Sequence, residues 1–270
     1  MTPSVSAASK RAPAIVAHIL DTASLLQLTQ RKIGVLHVKH FYPPLQGARA
    51  ALAARSHPKL GYYHKQYTSS VGRICMPHID AEGDSKAAER YHREAIENIH
   101  DMRELFSPYP SPADQVRLLL QEYWPAGANL QRLHGRTCFV GAIRVFTPGS
   151  SKFYPHNDRL DEESDAPELD GMVEQLVANM YLQVPSVGGD LQLWLREPTA
   201  QETEQIRDVE GLLPDSVEPP ALVIHPEAGD LIIFSSRMLH AVTSSDEDYR
   251  IGVAAFVGCF GQERPLTYWS

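Results

Sequence analysis

Residues 221–258 read ALVIHPEAGDLIIFSSRMLHAVTSSDEDYRIGVAAFVG and contain four short runs rich in Val, Ile, Leu and Phe. These runs are bounded mostly by Gly, Pro or Asp and cover residues 221–226, 230–236, 240–245 and 250–258. Short apolar runs between such turn residues are typical of β-strands. Three earlier runs have the same character and cover residues 138–146, 177–185 and 190–195. Seven closely spaced strands predict a sandwich or a jelly roll.

The first half of the chain has a helical pattern instead. In residues 86–106 apolar side chains recur at steps of three and four, which is the spacing of an amphipathic helix. The proline-rich segment 107–112 ends this helix, and Ser111-Pro112 provides an N-cap and first helical residue for the next one. We predict helices over residues 44–55, 86–106 and 111–123.

Taken together, these patterns predict one domain over residues 1–270, mainly β with flanking helices. Its parts are a disordered segment 1–13, a helix-rich part 14–134, a jelly-roll core 135–260 and a C-terminal tail 261–270. An acidic insertion at residues 196–219 holds three prolines, is followed directly by Pro220, and contains a short helical stretch, TAQETEQIRD. Long connections of this kind often cover a pocket, so we expect a lid there.

Composition limits the functions that the chain can have. Of its 270 residues, 43% are hydrophobic and 21% are charged, as in ordinary globular proteins. The net charge of −8 argues against binding to nucleic acid. Three cysteines without CxxC spacing indicate reduced thiols. With neither a signal peptide nor a membrane-spanning apolar run, we expect a cytoplasmic protein without membrane or nucleic-acid partners, whose oligomeric state stays open.

The most specific feature is the segment FYPHNDRLD at residues 153–161. In an extended segment, His156 and Asp158 project to the same side and can bind one ion. His240, after the run DLIIFSS, is the candidate third ligand. Two histidines and one carboxylate form the facial triad of non-haem Fe(II) oxygenases. The alternative is that His156 is an ordinary loop histidine and Asp158 a turn residue.

Arg250 lies ten residues after His240 and opens the last run. If runs 240–245 and 250–258 are adjacent antiparallel strands, Arg250 returns close to the metal. A guanidinium there can bind a carboxylate with two hydrogen bonds, which fits a 2-oxo acid co-substrate. The alternative is an arginine at a sheet edge that pairs with Asp246, Glu247 or Asp248.

The order of these motifs resembles the 2-oxoglutarate/Fe(II)-dependent dioxygenases of the prolyl-hydroxylase-like superfamily. It is His156-x-Asp158, then YLQVPSVGGDLQLW (181–194), HPEAGDLIIFSSRMLHAV (225–242) and Arg250. The resemblance covers about residues 135–270 and implies a double-stranded β-helix, also called a distorted jelly roll. It implies that His156, Asp158 and His240 hold Fe(II) and carry catalysis, and that Arg250 binds 2-oxoglutarate.

Two segments, Ile143-Arg144 and LTYWS at 266–270, are similar to a branch of carrier-independent aliphatic halogenases and hydroxylases. Halogenases of that branch have Gly or Ala where this chain has Asp158, so the resemblance implies a hydroxylase. Such an enzyme uses O2 to hydroxylate an unactivated C–H bond of a small molecule, a free amino acid or a specialised metabolite. It releases succinate and CO2. Desaturation and cyclisation by the same centre stay open.

Several further residues are candidates for the pocket. Asn179 and Tyr181 alternate on one strand, and polar residues on a core-facing strand are costly unless they line a site. We therefore expect both to help bind the co-substrate. Arg144, Trp194 and Trp269 are candidates for substrate or pocket contacts. For each of these residues an ordinary surface or core position is the alternative.

Three other kinds of protein remain as alternatives. A cupin-like metal protein would use similar ligands but has no need for Arg250. An interaction module on a degenerate oxygenase fold is disfavoured by the intact set of His156, Asp158, His240 and Arg250. Oxidation of nucleic-acid bases is disfavoured by the negative charge and by the lack of a basic segment with aromatic residues.

Overall fold

The computed structural model describes residues 15–17, 20–63, 71–81, 83–149, 152–209 and 211–270. The segment 1–13, which the sequence predicts to be disordered, lies outside the described residues. The α-helices of the described part are α1 (Thr22–Thr29), α2 (Pro44–Ala54), α3 (Ser85–Phe106), α4 (Pro112–Tyr123), α5 (Leu160–Glu163) and α6 (Ala200–Val209). Single 3-10 turns cover His78–Ala81, Pro167–Leu169 and Pro214–Ser216.

The strands lie in both halves of the chain. They are β1 (Ile15–Ala17), β2 (Val35–Val38), β3 (Leu60–Tyr62), β4 (Gly72–Ile74), β5 (Ala128–Leu130), β6 (Arg132–Leu133), β7 (Arg136–Thr137), β8 (Ala142–Phe146), β9 (Phe153–His156), β10 (Glu174–Gln183), β11 (Leu191–Leu193), β12 (Leu222–Ile224), β13 (Leu231–Ser235), β14 (His240–Val242), β15 (Arg250–Cys259) and β16 (Leu266–Trp269).

The three predicted helices are confirmed, and their ends follow from capping. The Asp84 side chain accepts hydrogen bonds from the first backbone N–H groups of α3. Ser111 caps α4 in the same way, with Pro112 as its first residue. The apolar stripe of α3 is buried, as its spacing predicts, and includes Tyr91, Ala95 and Met102.

Two sheets form the centre of the fold. The larger has the order β1-β2-β13-β10-β15-β8-β4-β3, and β16 joins β15 and β5 at its side. The smaller has the order β12-β11-β14-β9. From β8 to β15 the chain alternates between the two sheets, except that β11 and β12 both lie in the smaller one. The structure is therefore mainly sheet with helices, consistent with a jelly roll.

The N-terminal part and the tail differ from the sequence prediction. Residues 14–134 contribute strands as well as helices, and β2 and β4 extend the larger sheet on either side. β2 is a run of only four residues, VLHV, and all four are buried, so the run is too short to stand out in the sequence. The tail 261–270 contains β16, which pairs with β15.

The large sheet and the helices share one hydrophobic core. It includes Leu25 of α1, Ala51 of α2 and Leu120 of α4 together with Ile233 and Val257 of the sheet. No helix within the described ranges combines the length and apolarity needed to cross a bilayer.

The three cysteines are free thiols inside the protein. Burial raises the pKa of Cys75 and of Cys138 to about 12. It also raises the pKa of Cys259. The thiols therefore stay protonated at neutral pH, which fits the expectation of reduced cysteines.

Gly229, in the turn before β13, allows two segments of backbone to approach closely. Its N–H donates to the Tyr181 carbonyl and its carbonyl accepts from the Tyr42 N–H, both at 2.8 Å. Its φ is +96°, and a Cβ atom at this position would lie 2.3 Å from the Tyr42 carbonyl oxygen. Only glycine satisfies both conditions.

We expect Gly229→Ala to destabilise the protein more than Gly83→Ala does. Gly83 also has a positive φ, +74°, but its added Cβ would meet nothing within 4 Å. Both variants carry backbone strain of about 1–2 kcal/mol, and only Gly229→Ala adds a clash, worth about 1–3 kcal/mol more. Urea unfolding measures the two free energies of unfolding, and equal losses would contradict the role of the close contact.

Candidate metal centre

Two neighbouring strands of the smaller sheet bring the predicted triad together. β9 ends at His156 and β14 begins at His240, and the antiparallel register pairs these two residues directly. Asp158 follows two residues after His156. One ligand atom from each of the three side chains lies within 4.8 Å of the others. The described residues contain no other group of this kind.

Backbone carbonyls orient both imidazole rings. His156 Nδ1 lies 2.7 Å from the Tyr154 carbonyl oxygen, and His240 Nδ1 lies 3.0 Å from that of Met238. A carbonyl only accepts, so each Nδ1 carries the proton and each Nε2 keeps its lone pair. The Nε2 atoms face the carboxylate of Asp158, at 3.9 Å from His156 and 3.3 Å from His240.

The electrostatics of the triad suit metal binding. Burial and the neighbouring His240 lower the pKa of His156 to about 4, so this imidazole is neutral at pH 7. Burial alone would raise the pKa of Asp158, but the adjacent His240 side chain and the charge of Arg144 hold that pKa well below its usual range. Neutral imidazoles and an ionised carboxylate are the states in which these groups bind Fe(II).

The turn that carries Asp158 is held by residues that the sequence did not reveal. Gln175 Nε2 donates to the Asp158 carbonyl at 3.1 Å, and its Oε1 accepts from the Leu160 N–H at 2.9 Å. The Asp158 N–H donates to the Ser236 carbonyl at 2.8 Å. The buried amide of Gln175 therefore bridges the turn and fixes where the carboxylate points.

Arg250 begins β15 and is buried, on the same sheet as Arg144, Asn179 and Tyr181. Its Nη2 donates to the Tyr181 hydroxyl at 3.4 Å, while its Nε has no hydrogen-bond partner. The guanidinium carbon lies 4.7 Å from the ring centre of Phe146 and 5.1 Å from that of Tyr181. Burial lowers the pKa of Arg250.

The structure does not support the alternative prediction for Arg250, an ion pair with Asp246, Glu247 or Asp248. Among the described residues Arg250 makes no ion pair with a carboxylate. Asp248 instead accepts a hydrogen bond from Gln183 at 2.9 Å and lies 3.6 Å from Arg55.

A cavity of about 460 Å³ opens beside the triad. His156 and Asp158 lie in its wall, and Thr203, Ile206 and Arg207 of α6 form another side. The insertion predicted to be a lid therefore borders the cavity. Ile206 also packs on a small hydrophobic cluster outside the smaller sheet, formed by Trp194, Leu212, Leu239 and Ala241.

The remaining pocket candidates occupy different places. Arg144 and Trp269 line the cavity, and the Trp269 ring stacks on Phe256 with centres 5.7 Å apart. Asn179 and Tyr181 lie on β10, two residues apart, and Tyr181 contacts Arg250 as described above. Asn179 and Tyr181 are not among the residues that line the cavity.

Trp194, the last of the predicted pocket residues, lies away from the cavity. It is buried in the outer cluster with Leu212, and its indole N–H donates to the Glu218 carbonyl at 2.6 Å. Leu193 is the register partner of His240, so the next residue, Trp194, points to the opposite side of the smaller sheet. The structure therefore places Trp194 in a core and not in the pocket wall.

Comparison with known proteins agrees with the fold. No protein-family model matches the chain. A curated relative, L-γ-glutamyl-L-propargylglycine hydroxylase from Streptantibioticus cattleyicolor, is 28% identical over 164 residues, which are 60% of this chain. The match spans 59% of that relative's length.

Two solved structures share the fold over most of the chain. Both are an N-substituted L-amino acid dioxygenase from Burkholderia ambifaria, and one holds α-ketoglutarate, that is, 2-oxoglutarate. Each has a TM-score of 0.57 and covers 92% of this chain, with 14% and 16% identity. The match covers 91% and 90% of those chains.

We expect Gln175→Met to weaken Fe(II) binding by about tenfold to a hundredfold, because residues that orient metal ligands have effects of this size. Methionine has a similar volume but forms neither hydrogen bond. Calorimetric titration with Fe(II) under anaerobic conditions measures the affinity. Gln121→Met, at an exposed position of α4, is the control. Unchanged affinity in Gln175→Met would show that the turn holds its shape without the amide.

Proposed function

We propose that this chain is a 2-oxoglutarate/Fe(II)-dependent dioxygenase and that it hydroxylates an unactivated C–H bond of a small molecule. His156, Asp158 and His240 would hold Fe(II) through two Nε2 atoms and a carboxylate oxygen. The iron, with 2-oxoglutarate and O2, supplies an oxidant strong enough for an aliphatic C–H bond and yields succinate and CO2. We also infer that strands β8 to β15, which alternate between the two sheets, form a double-stranded β-helix.

The buried guanidinium of Arg250 carries this proposal. A charged group inside a protein is costly unless a partner compensates it, and no carboxylate of the described chain does so. An unbonded Nε and a flanking tyrosine hydroxyl leave a place for the distal carboxylate of 2-oxoglutarate. A cupin-like metal protein would have no use for such a group.

The residues around the triad would divide the remaining work. Tyr181 orients Arg250 and can donate its own hydroxyl proton to the bound carboxylate, and Asn179 lies on the same face of β10. Trp269 and α6 border the space for substrate and limit the entry of water. The relatives' names, which describe a hydroxylase of a γ-glutamyl amino acid and a dioxygenase of N-substituted amino acids, support an amino-acid-like substrate.

Asp158 decides between oxygen and halogen in this proposal. The carboxylate of Asp158 would be the third protein ligand of the metal and would fill a coordination position. A halide would need the place that the carboxylate takes. We therefore assign hydroxylation as the reaction, with desaturation or ring closure as branches that product analysis distinguishes.

Succinate release tests the proposed activity directly. The Fe(II)-loaded protein is incubated with 2-oxoglutarate and with a panel of amino acids and γ-glutamyl dipeptides. We expect at least one compound to stimulate succinate formation, with a product heavier by one oxygen atom. His240→Ala removes a ligand and should abolish turnover, while His100→Ala, exposed on α3, should leave it unchanged. Full activity in His240→Ala would refute the triad.

For the co-substrate, we expect Arg250→Met to raise the Kd of 2-oxoglutarate about tenfold to a hundredfold, which corresponds to losing a charged hydrogen bond of about 1.5–3 kcal/mol. Arg250→Lys should retain part of the affinity, and Arg93→Met, at an exposed site, is the control. The affinity is read from anaerobic titration of the Fe(II) protein. Unchanged binding in Arg250→Met, with iron retained, would favour the cupin-like alternative.

A further inference from the structure

A second guanidinium lies on the same face of the larger sheet as Arg250. Arg144 is in the middle of β8, and its register partner on β15 is Gly252, two residues after Arg250. Side chains two residues apart on a strand project to the same side. Unlike Arg250, Arg144 lines the cavity beside His156 and Asp158.

Arg144 is held in place without being neutralised. Its Nε donates to the Tyr63 hydroxyl at 3.1 Å, and its guanidinium carbon lies 5.6 Å and 5.9 Å from the ring centres of Phe153 and Phe256. It makes no ion pair within the described part of the chain. The hydroxyl and the two rings fix the direction of the group, and its terminal nitrogens remain able to donate into the cavity.

The acidic side chains that line the cavity lie beside basic groups other than Arg144, and Glu163 Oε2 is 3.8 Å from His78 Nδ1. Asp80 accepts from Arg73 Nε. Glu162 is bonded to Arg159 at 3.0 Å and to Arg207 at 2.8 Å. Asp158 faces the two histidines. Arg144 itself forms no ion pair with any of these described acids, so its terminal nitrogens can donate to a ligand in the cavity.

With Fe(II) and 2-oxoglutarate bound, the site would lack one negative charge for neutrality. If Fe(II) binds the triad, the metal, the carboxylate of Asp158 and the two guanidiniums would together carry about three positive charges, because histidine binds a metal in its neutral form. The dianion of 2-oxoglutarate reduces this to one positive charge, beside Arg144. One further carboxylate would make the buried centre neutral, which is the arrangement that costs the least desolvation energy.

We propose that Arg144 is the residue that selects a substrate with a free carboxylate, which it binds in the cavity beside the metal. The inference rests on the proposed function, because 2-oxoglutarate must occupy the Arg250 side. Tyr63 is a positioning residue that holds the guanidinium. A molecule of this class is anchored by its carboxylate, so the bond that reacts lies at a set distance from that group.

The test compares acids with their amides. L-Amino acids and γ-glutamyl dipeptides are added, each beside its C-terminal carboxamide, to the anaerobic Fe(II)–2-oxoglutarate protein. Binding is read from the change in the absorption band of the Fe(II)–2-oxoglutarate complex, and succinate release is measured afterwards in air. We expect the preferred acid to bind about tenfold to a hundredfold more tightly than its amide, as for a charged hydrogen bond.

Variants assign the preference to Arg144. Arg144→Gln should remove the discrimination between acid and amide, Arg144→Lys should keep part of it, and Tyr63→Phe should reduce it by a smaller factor. Arg93→Gln, on the exposed face of α3, should leave it unchanged. The Kd of 2-oxoglutarate, measured on each variant before substrate is added, also shows that the protein is folded and loaded.

Each result has one meaning. A band that never forms in the unmodified protein contradicts the proposed function, and the present inference with it. If the band forms and no acid binds more tightly than its amide, the inference about Arg144 is overturned alone. It is also overturned if Arg144→Gln weakens 2-oxoglutarate and leaves the preference for acids intact, because Arg144 would then bind the co-substrate.

Discussion

The pairing of β9 with β14 is the constraint on which the metal centre depends. It places His156 opposite His240, and the ring of each histidine is then oriented by the carbonyl two residues earlier in the chain. The same backbone that forms the sheet thus decides which nitrogen of each ring is free. A change in register of one residue would turn one imidazole away from the other and leave the carboxylate of Asp158 without a partner.

Local patterns were enough to predict much of this arrangement. The two-residue spacing of His156 and Asp158 needs only an extended backbone. The antiparallel pairing assumed between runs 240–245 and 250–258 is wrong, because β14 lies in the smaller sheet and β15 in the larger one. The strand runs and the capped helices are local signals too, and they gave α3 within one residue. These features depend on neighbours in sequence, which is why they can be recognised without a structure.

What the sequence did not show depends on distant contacts. Gln175 bridges the turn after β9 from another strand, and Tyr63 reaches Arg144 from a segment 81 residues earlier. Neither has a pattern that distinguishes it from an ordinary glutamine or tyrosine. Trp194 shows a different limit, because one residue along a strand changes the face. Its place was settled by the register of Leu193 with His240.

The way in which the insertion 196–219 is attached affects how the sequence of such a protein can diverge in evolution. α6 rests on a cluster of its own, around Trp194 and Leu212, outside the smaller sheet, and Ile206 belongs both to this cluster and to the cavity wall. Substitutions in α6 itself alter the cavity wall at positions outside β9 and β14, which carry His156 and His240. The shape of the cavity can therefore diverge in this one segment while the ligand-carrying strands are conserved.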